Sequence, residues 1–251
     1  MKKLIPLMLV MTLLLSMSLS AVAAGDPVQE SQSVNVTYVP AKAAETVISV
    51  DIEWEGMDFT YKEANEKWNA NTHQYDKEAA GWAEGCGKIT ITNHSSVILQ
   101  AGLSYEAVSD FDKISMAFTN EAPYIGSAYT NETGSGAECD VQVLAVPKGE
   151  LSGPLNEKTK IGTVKVVVEA KGAVEDVVSE IEGKYDGIEI SDGSSLERGA
   201  VYYTASDLAA VKSAHGDLMG LFDEGVTNEA QINAALNPLI KAYYNGMKIG
   251  Q

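Results

Sequence analysis

Between Val34 and Ala170 apolar side chains recur at every second position, and beyond Gly172 they recur about every 3.6 residues. That change of period constrains the chain more than any other feature. A period of two places alternate side chains on opposite faces of a strand, whereas a period near 3.6 gathers them into one stripe of a helix. Ile48, Val50, Ile52 and Trp54 alternate with Ser49, Asp51 and Glu53, and Met57, Phe59 and Tyr61 alternate with Asp58 and Thr60. KITITN sets Ile89 and Ile91 on one face, and VILQAGLSY does the same for Val97, Leu99, Ala101, Leu103 and Tyr105. ECDVQVLAV and IGTVKVVVEA repeat the pattern. Turn-forming stretches separate these runs: Asn93-His94-Ser95-Ser96, Gly134-Ser135-Gly136 and Pro147-Lys148-Gly149. Short half-buried strands at this spacing predict an antiparallel β-sandwich, Ig-like in general architecture, over residues 34–171.

The second part, 172–251, reads as a small helical module. Val174, Val177, Val178 and Ile181 mark one face of a short helix that Gly183 is placed to cap. Thr204-Ala205-Ser206-Asp207 has the form of a capping box ahead of Leu208, Val211, Leu218 and Leu221. A further helix starts at Thr227 and carries Ile232, Leu236, Leu239 and Tyr243; Pro238 inside it is expected to kink or break it. The boundary near Ala170 to Ala173 predicts two regions that keep their own secondary structure when separated.

The N-terminus sets the compartment. Lys2 and Lys3 precede an apolar run from Leu4 to Leu19, followed by Ser20-Ala21-Val22-Ala23-Ala24. This is the pattern of a secretory signal peptide over residues 1–23, with a polar flexible lead over 24–33. No later stretch reaches the roughly 18 apolar residues of a membrane span. The expected protein is secreted, extracellular or associated with the cell surface. The formal net charge is -17, and losing the two leader lysines makes the balance more negative by two. A surface of that sign repels polyanions, so nucleic acid is excluded as a partner.

An oxidising compartment makes Cys86 and Cys139 a candidate disulfide closing a loop of about fifty residues; two unpaired buried thiols are the other reading. Two thiols without further close ligands do not build a zinc site. Asp186, Asp192 and Glu197 lie near glycines, but their spacing matches no calcium loop and solvated acids describe them better, so no metal is expected. No glycine-rich phosphate loop points to a nucleotide, and no cofactor is expected. His94 and Ser95 are neighbours in the chain, point apart, and lack a third member of a triad; no catalytic residue is assigned and the protein is read as a non-enzyme. His94 is expected to bond local backbone in its turn.

One stretch resists the alternation. WNANTHQYDKEAAGW, from Trp68 to Trp82, holds two of the three tryptophans with His73 and Tyr75 between them. These four aromatic residues are either a structural corner closing one end of the sandwich or a contact face for a ligand. Trp54, extending the Ile48, Val50, Ile52 face, is read as core. On the second alternative Trp68, His73, Tyr75 and Trp82 form the candidate ligand-binding set.

The series EWEGMDFTY, WNANTHQYD, GW, KITITNHSS and KIGTVKVVV resembles a family of secreted proteins of Gram-positive gut bacteria that share a WNP-x-TH-x-Y and an ITVTNHS pattern. Trp68-Asn69 and Thr72-His73-Gln74-Tyr75 match, while Ala70 stands where that pattern has proline. The resemblance implies a β-sandwich surface module. DGSSLERGAVYYTASDLAAV and TNEAQINAALNPLIKAYYNG are similar to the helical regions named "found in various architectures" (FIVAR) of bacterial surface proteins. Together these readings predict a non-enzymatic extracellular binding or adhesion module, with a glycan or a protein as ligand. The alternative is a structural or assembly subunit of the cell surface that self-associates through sheet edges without a small ligand.

Overall fold

The computed structural model describes residues 28–30, 47–130, 136–153, 155 and 158–251. The stretch expected to be a signal peptide, 1–23, and most of the expected lead over 24–33 lie outside the described residues. Among the described residues the chain is rich in β-structure, with several antiparallel sheets and three α-helices near the C-terminus. One sheet runs in the order Val50–Glu55, Gly87–Asn93, Cys139–Lys148, Ser115–Phe118. The other runs Val28–Glu30, Gly162–Ala170, Leu99–Ala107, Tyr124–Ile125.

Register follows the alternation. Ile52, Ile91 and Val141 stand abreast in the first sheet, and Leu103 stands opposite Val166 and Ala101 opposite Val168 in the second. All of these are buried and belong to one apolar cluster fed by both sheets, while the intervening Glu53, Gly102 and Ser104 are exposed. A slip of one residue would turn each apolar set outward, so burial fixes the pairing. The 57–61 run differs from its pattern. Met57, Phe59 and Tyr61 are half-buried and Asp58 and Thr60 exposed, but the strand ends at Glu55, because Gly56 takes a left-handed conformation (φ 65°) that turns the chain off the sheet.

Helix α1 (Val174–Lys184) follows the sheets after a turn at Gly172, and buries Val177, Val178 and Ile181. It runs through Gly183 rather than ending there. Helix α2 (Ala205–Asp223) opens with the expected capping box: the Asp207 backbone N–H donates to Thr204 Oγ1, and the Thr204 N–H donates back to the Asp207 carboxylate. Helix α3 (Glu229–Gly246) is capped by Asn228 and remains one helix through Pro238. The proline costs one ladder bond, and the flanking Leu236, Leu239 and Ile240 are fully buried, so packing holds the helix through it.

Leu236, Leu239, Ile240, Tyr243 and Tyr244 of α3 enter the same cluster as the strands. The helix also completes a sheet edge. Cys139–Lys148 pairs with Ser115–Phe118 from Ala145 onward and the Thr119 N–H still reaches the Leu144 carbonyl (2.9 Å), but among the described residues no strand pairs with this edge over residues 140–143. There the Gln142 N–H donates to Asn245 Oδ1 (2.7 Å), Asn245 Nδ2 donates to the Asp140 carbonyl (3.4 Å), and the Leu144 N–H donates to Thr119 Oγ1 (3.0 Å). The Asn245 carboxamide thus stands in for a peptide group of a missing strand. The C-terminus is tied down as well: Lys248–Ile249 pairs antiparallel with Val201–Tyr203, which pairs in parallel with Glu189–Ile190.

Candidate functional site: an aromatic arm

The stretch without alternation folds into a two-stranded ribbon. Tyr61–Lys62 pairs with Gly81–Trp82 at its root, and Asn65–Asn69 pairs with Gln74–Glu78 beyond. Every residue of Gln74–Glu78 is exposed, and of Asn65–Asn69 only Asn69 is half-buried. Neither face of this outer hairpin covers a core. An isolated two-stranded hairpin is marginal in water, so its turn matters. Asn69 organises it: Oδ1 accepts from the N–H groups of Asn71 (3.0 Å) and Thr72 (3.4 Å), and Nδ2 donates to Asp76 (2.9 Å). His73 closes the turn at φ 52°, the left-handed region.

Three of the four candidate residues meet on this arm. Trp68 and Tyr75 are directly opposed across the strands, with ring centroids 5.2 Å apart at 64°. His73 lies 6.4 Å from Trp68, tilted by 35°. Trp68 is 51% and Tyr75 59% exposed, and the next pair along the same face is a Glu66–Lys77 ion bridge of 3.1 Å. The result is a small apolar corner, one ring set steeply to the other, bordered by a donor and an acceptor.

Trp82 is placed elsewhere. It is half-buried at the root of the ribbon, its Nε1–H donates to the Gly149 carbonyl at 2.8 Å, and its ring meets Tyr61 edge to face at 5.1 Å. These contacts, with the Ala83 N–H donating to the Thr60 carbonyl, fasten the arm to the body. Trp82 also lines an open groove of 1260 Å³ with Met57, Phe59, Tyr61 and Leu151. Trp54 is half-buried against the core opposite Ile89, and its indole N–H is shielded from solvent without a partner among the described residues.

The Cys86–Cys139 disulfide is not formed; both thiols are free. The strand register gives the reason. Gly87, next to Cys86, stands opposite Ala145, whereas Cys139 stands opposite Asn93 at the far end of the same pair of strands. Six residues of strand set them about 20 Å apart, and a bridge needs Cα atoms within roughly 7 Å. Cys139 is buried, and loss of solvent pushes its thiol up to about 12.

The His94 side chain departs from the expected bond to its local backbone. His94 reaches past its local backbone to two carboxylates, Nδ1 to Glu138 Oε1 at 2.8 Å and Nε2 to Asp51 Oδ2 at 3.1 Å. Ser95 turns away, its Oγ accepting from the Ser49 N–H and donating to the Ser49 carbonyl, so the two side chains serve separate partners. Asp192 accepts from both the N–H and the hydroxyl of Ser194, a local turn. Among the described residues no group of three or more His, Cys, Asp or Glu side chains is arranged to hold a metal ion, and no helix is long and apolar enough to cross a membrane.

No protein-family model matches the chain, and no curated protein matches it. A solved structure of CBM51-2 in complex with GlcNAc and INT domains from Clostridium perfringens ZmpB is matched with a TM-score of 0.21 and 10% identity, over 90% of this chain. The chain spans 63% of the length of that structure. A likeness this slight carries no argument about fold, ligand or partner.

Proposed function

We propose that the protein is a secreted, non-enzymatic extracellular binding or adhesion module of a bacterial cell surface. Its two four-stranded sheets are read as a β-sandwich, Ig-like in general architecture, and the Trp68, His73 and Tyr75 face of the arm is its contact surface. The observation that carries this reading is the exposure of Trp68 and Tyr75 on a hairpin with no core to cover. Singly scattered exposed apolar side chains are ordinary, whereas exposed aromatic rings gathered into one contiguous patch mark a contact site.

Size favours a glycan over a protein as ligand. Each aromatic side chain offers roughly 150 to 250 Å² when fully exposed, so the exposed halves of Trp68 and Tyr75 supply about 200 Å². A stable protein partner needs about 800 Å² from each side, whereas one or two sugar rings fit on this corner. The acidic balance of the chain favours neutral over anionic glycans.

The test is a printed array of neutral and acidic glycans probed with the full chain and with Trp68→Ala and Tyr75→Ala. Both variants are expected to fold with nearly unchanged melting temperature and to lose neutral-glycan binding by about tenfold or more. Trp54→Ala, cut from the edge of the core, is the control that loses stability. Destabilisation of Trp68→Ala to the extent of Trp54→Ala would refute the contact-surface reading. Folded variants that alter self-association and leave glycan binding untouched would move the weight to an assembly subunit.

A further inference from the structure

We propose that His94 is a proton-operated clasp joining the start of the strand Val50–Glu55 to the start of the strand Cys139–Lys148. The three strands meet here in register. Asn93, at the end of the middle strand, stands opposite Val50 on one side and Cys139 on the other. His94 follows it, its N–H donating to the Ser49 carbonyl at 2.9 Å. Its ring therefore lies between Asp51, carried by Val50–Glu55, and Glu138, which precedes Cys139. These are the two charged groups that act on the ring.

A neutral imidazole has one N–H and one lone pair, so it can donate to only one of two flanking carboxylates while its lone pair faces the other. The imidazolium has two N–H groups and donates to both in charge-assisted bonds. Nδ1 lies 2.8 Å from Glu138 and Nε2 3.1 Å from Asp51, so both ring nitrogens stand at hydrogen-bond distance from a carboxylate, and only the charged ring donates to both. Partial burial opposes the charge, but the hydrogen bonds and negative charges of Glu138 and Asp51 outweigh it and hold His94 above its ordinary 6.5.

A histidine whose folded value is raised contributes stability that is fully present below its unfolded value and is lost as pH rises through the folded one. Below about pH 6.5 the clasp is closed. As the ring loses its proton, the shorter contact keeps Nδ1–H on Glu138, and Asp51 is left facing the Nε2 lone pair. Asp51 sits on a strand that, among the described residues, lies at the end of its sheet, so the residues freed first are the opening of that strand, Ser49 to Ile52. The clasp lies on the sheet rather than on the aromatic arm, and it operates whatever the arm binds.

The experiment is nitrogen-resolved NMR of the full chain from about pH 5.5 to about 8.5, with amide exchange at residues 49–52 corrected for intrinsic rates. His94 is expected to titrate above 6.5 with both ring nitrogens protonated on the acid side. Protection at 49–52 is expected to fall on the alkaline side, by about tenfold for each unit by which the closed clasp raises the histidine over the open one. Asp51→Asn and Glu138→Gln replace half-exposed or exposed side chains; each should lower the histidine and flatten the exchange profile while the chain stays folded. A His94 that titrates at or below 6.5, or protection at 49–52 that is flat through its titration, would overturn the clasp.

Discussion

Replacing Asn245 by alanine tests whether α3 acts as the surrogate for a missing strand. The substitution removes the acceptor of the Gln142 N–H and the weaker donor to the Asp140 carbonyl, both on a part of the sheet edge that no strand covers among the described residues. A backbone N–H left unpaired out of water costs about 1 to 3 kcal/mol, and the 3.4 Å contact adds little, so the loss should be near 2 kcal/mol. For a domain of this size that lowers the melting temperature by roughly 4 to 8 °C. Urea unfolding measures the free energy, and amide exchange should show Gln142 losing protection ahead of its neighbours on the paired edge. Lys241→Met is the comparison. Lys241 and Asp140 form an ion pair at the same place, but both are more than a third exposed, and a pair of that kind contributes at most about 1 kcal/mol. An Asn245→Ala variant within about 0.5 kcal/mol of the parent, with Gln142 still protected, would refute the idea that the carboxamide completes the sheet.

Two further outcomes are expected. Alkylation without reductant should modify Cys86 readily and Cys139 only on unfolding, because Cys139 is buried and its thiol is pushed up to about 12; a mass two hydrogens short in the unreduced, unfolded chain would mean a bridge and a register different from the one described. A fragment ending at Lys171 should lose cooperative unfolding, since Leu236, Leu239, Ile240, Tyr243 and Tyr244 are almost fully buried and together contribute about 10 kcal/mol, comparable to the whole stability of a domain. A sharp melt of that fragment, followed by calorimetry, would instead make the sheets a self-standing unit.

Which parts were legible follows from how local each cause is. The alternation of Ile89 with Ile91 and of Leu99, Ala101 and Leu103 reads directly as strand, because the side-chain period is a property of the backbone alone. The capping box of Thr204 and Asp207 spans four residues and is visible for the same reason. The lapse of alternation between Trp68 and Trp82 correctly marked a segment unlike the rest, yet not its division. Hairpin register brings Trp68 and Tyr75 together, whereas Trp82 takes its partner from Gly149, 67 residues away.

Composition, period and turn residues thus determined by themselves that the chain is β-rich, ends in helices and carries an aromatic stretch outside the strand pattern. Tertiary structure decided the rest. Cys86 and Cys139 look like partners in a list of residues and are kept apart by six residues of shared strand register. His94 reads as a turn histidine until two strands bring Asp51 and Glu138 to its two nitrogens. Asn245 has no local mark of importance, since the edge it covers lies 103 residues earlier in the chain. Local period dictates which face of an element is apolar, but which polar group meets which depends on how sheets and helices close on one another, and no short-range pattern encodes that closure.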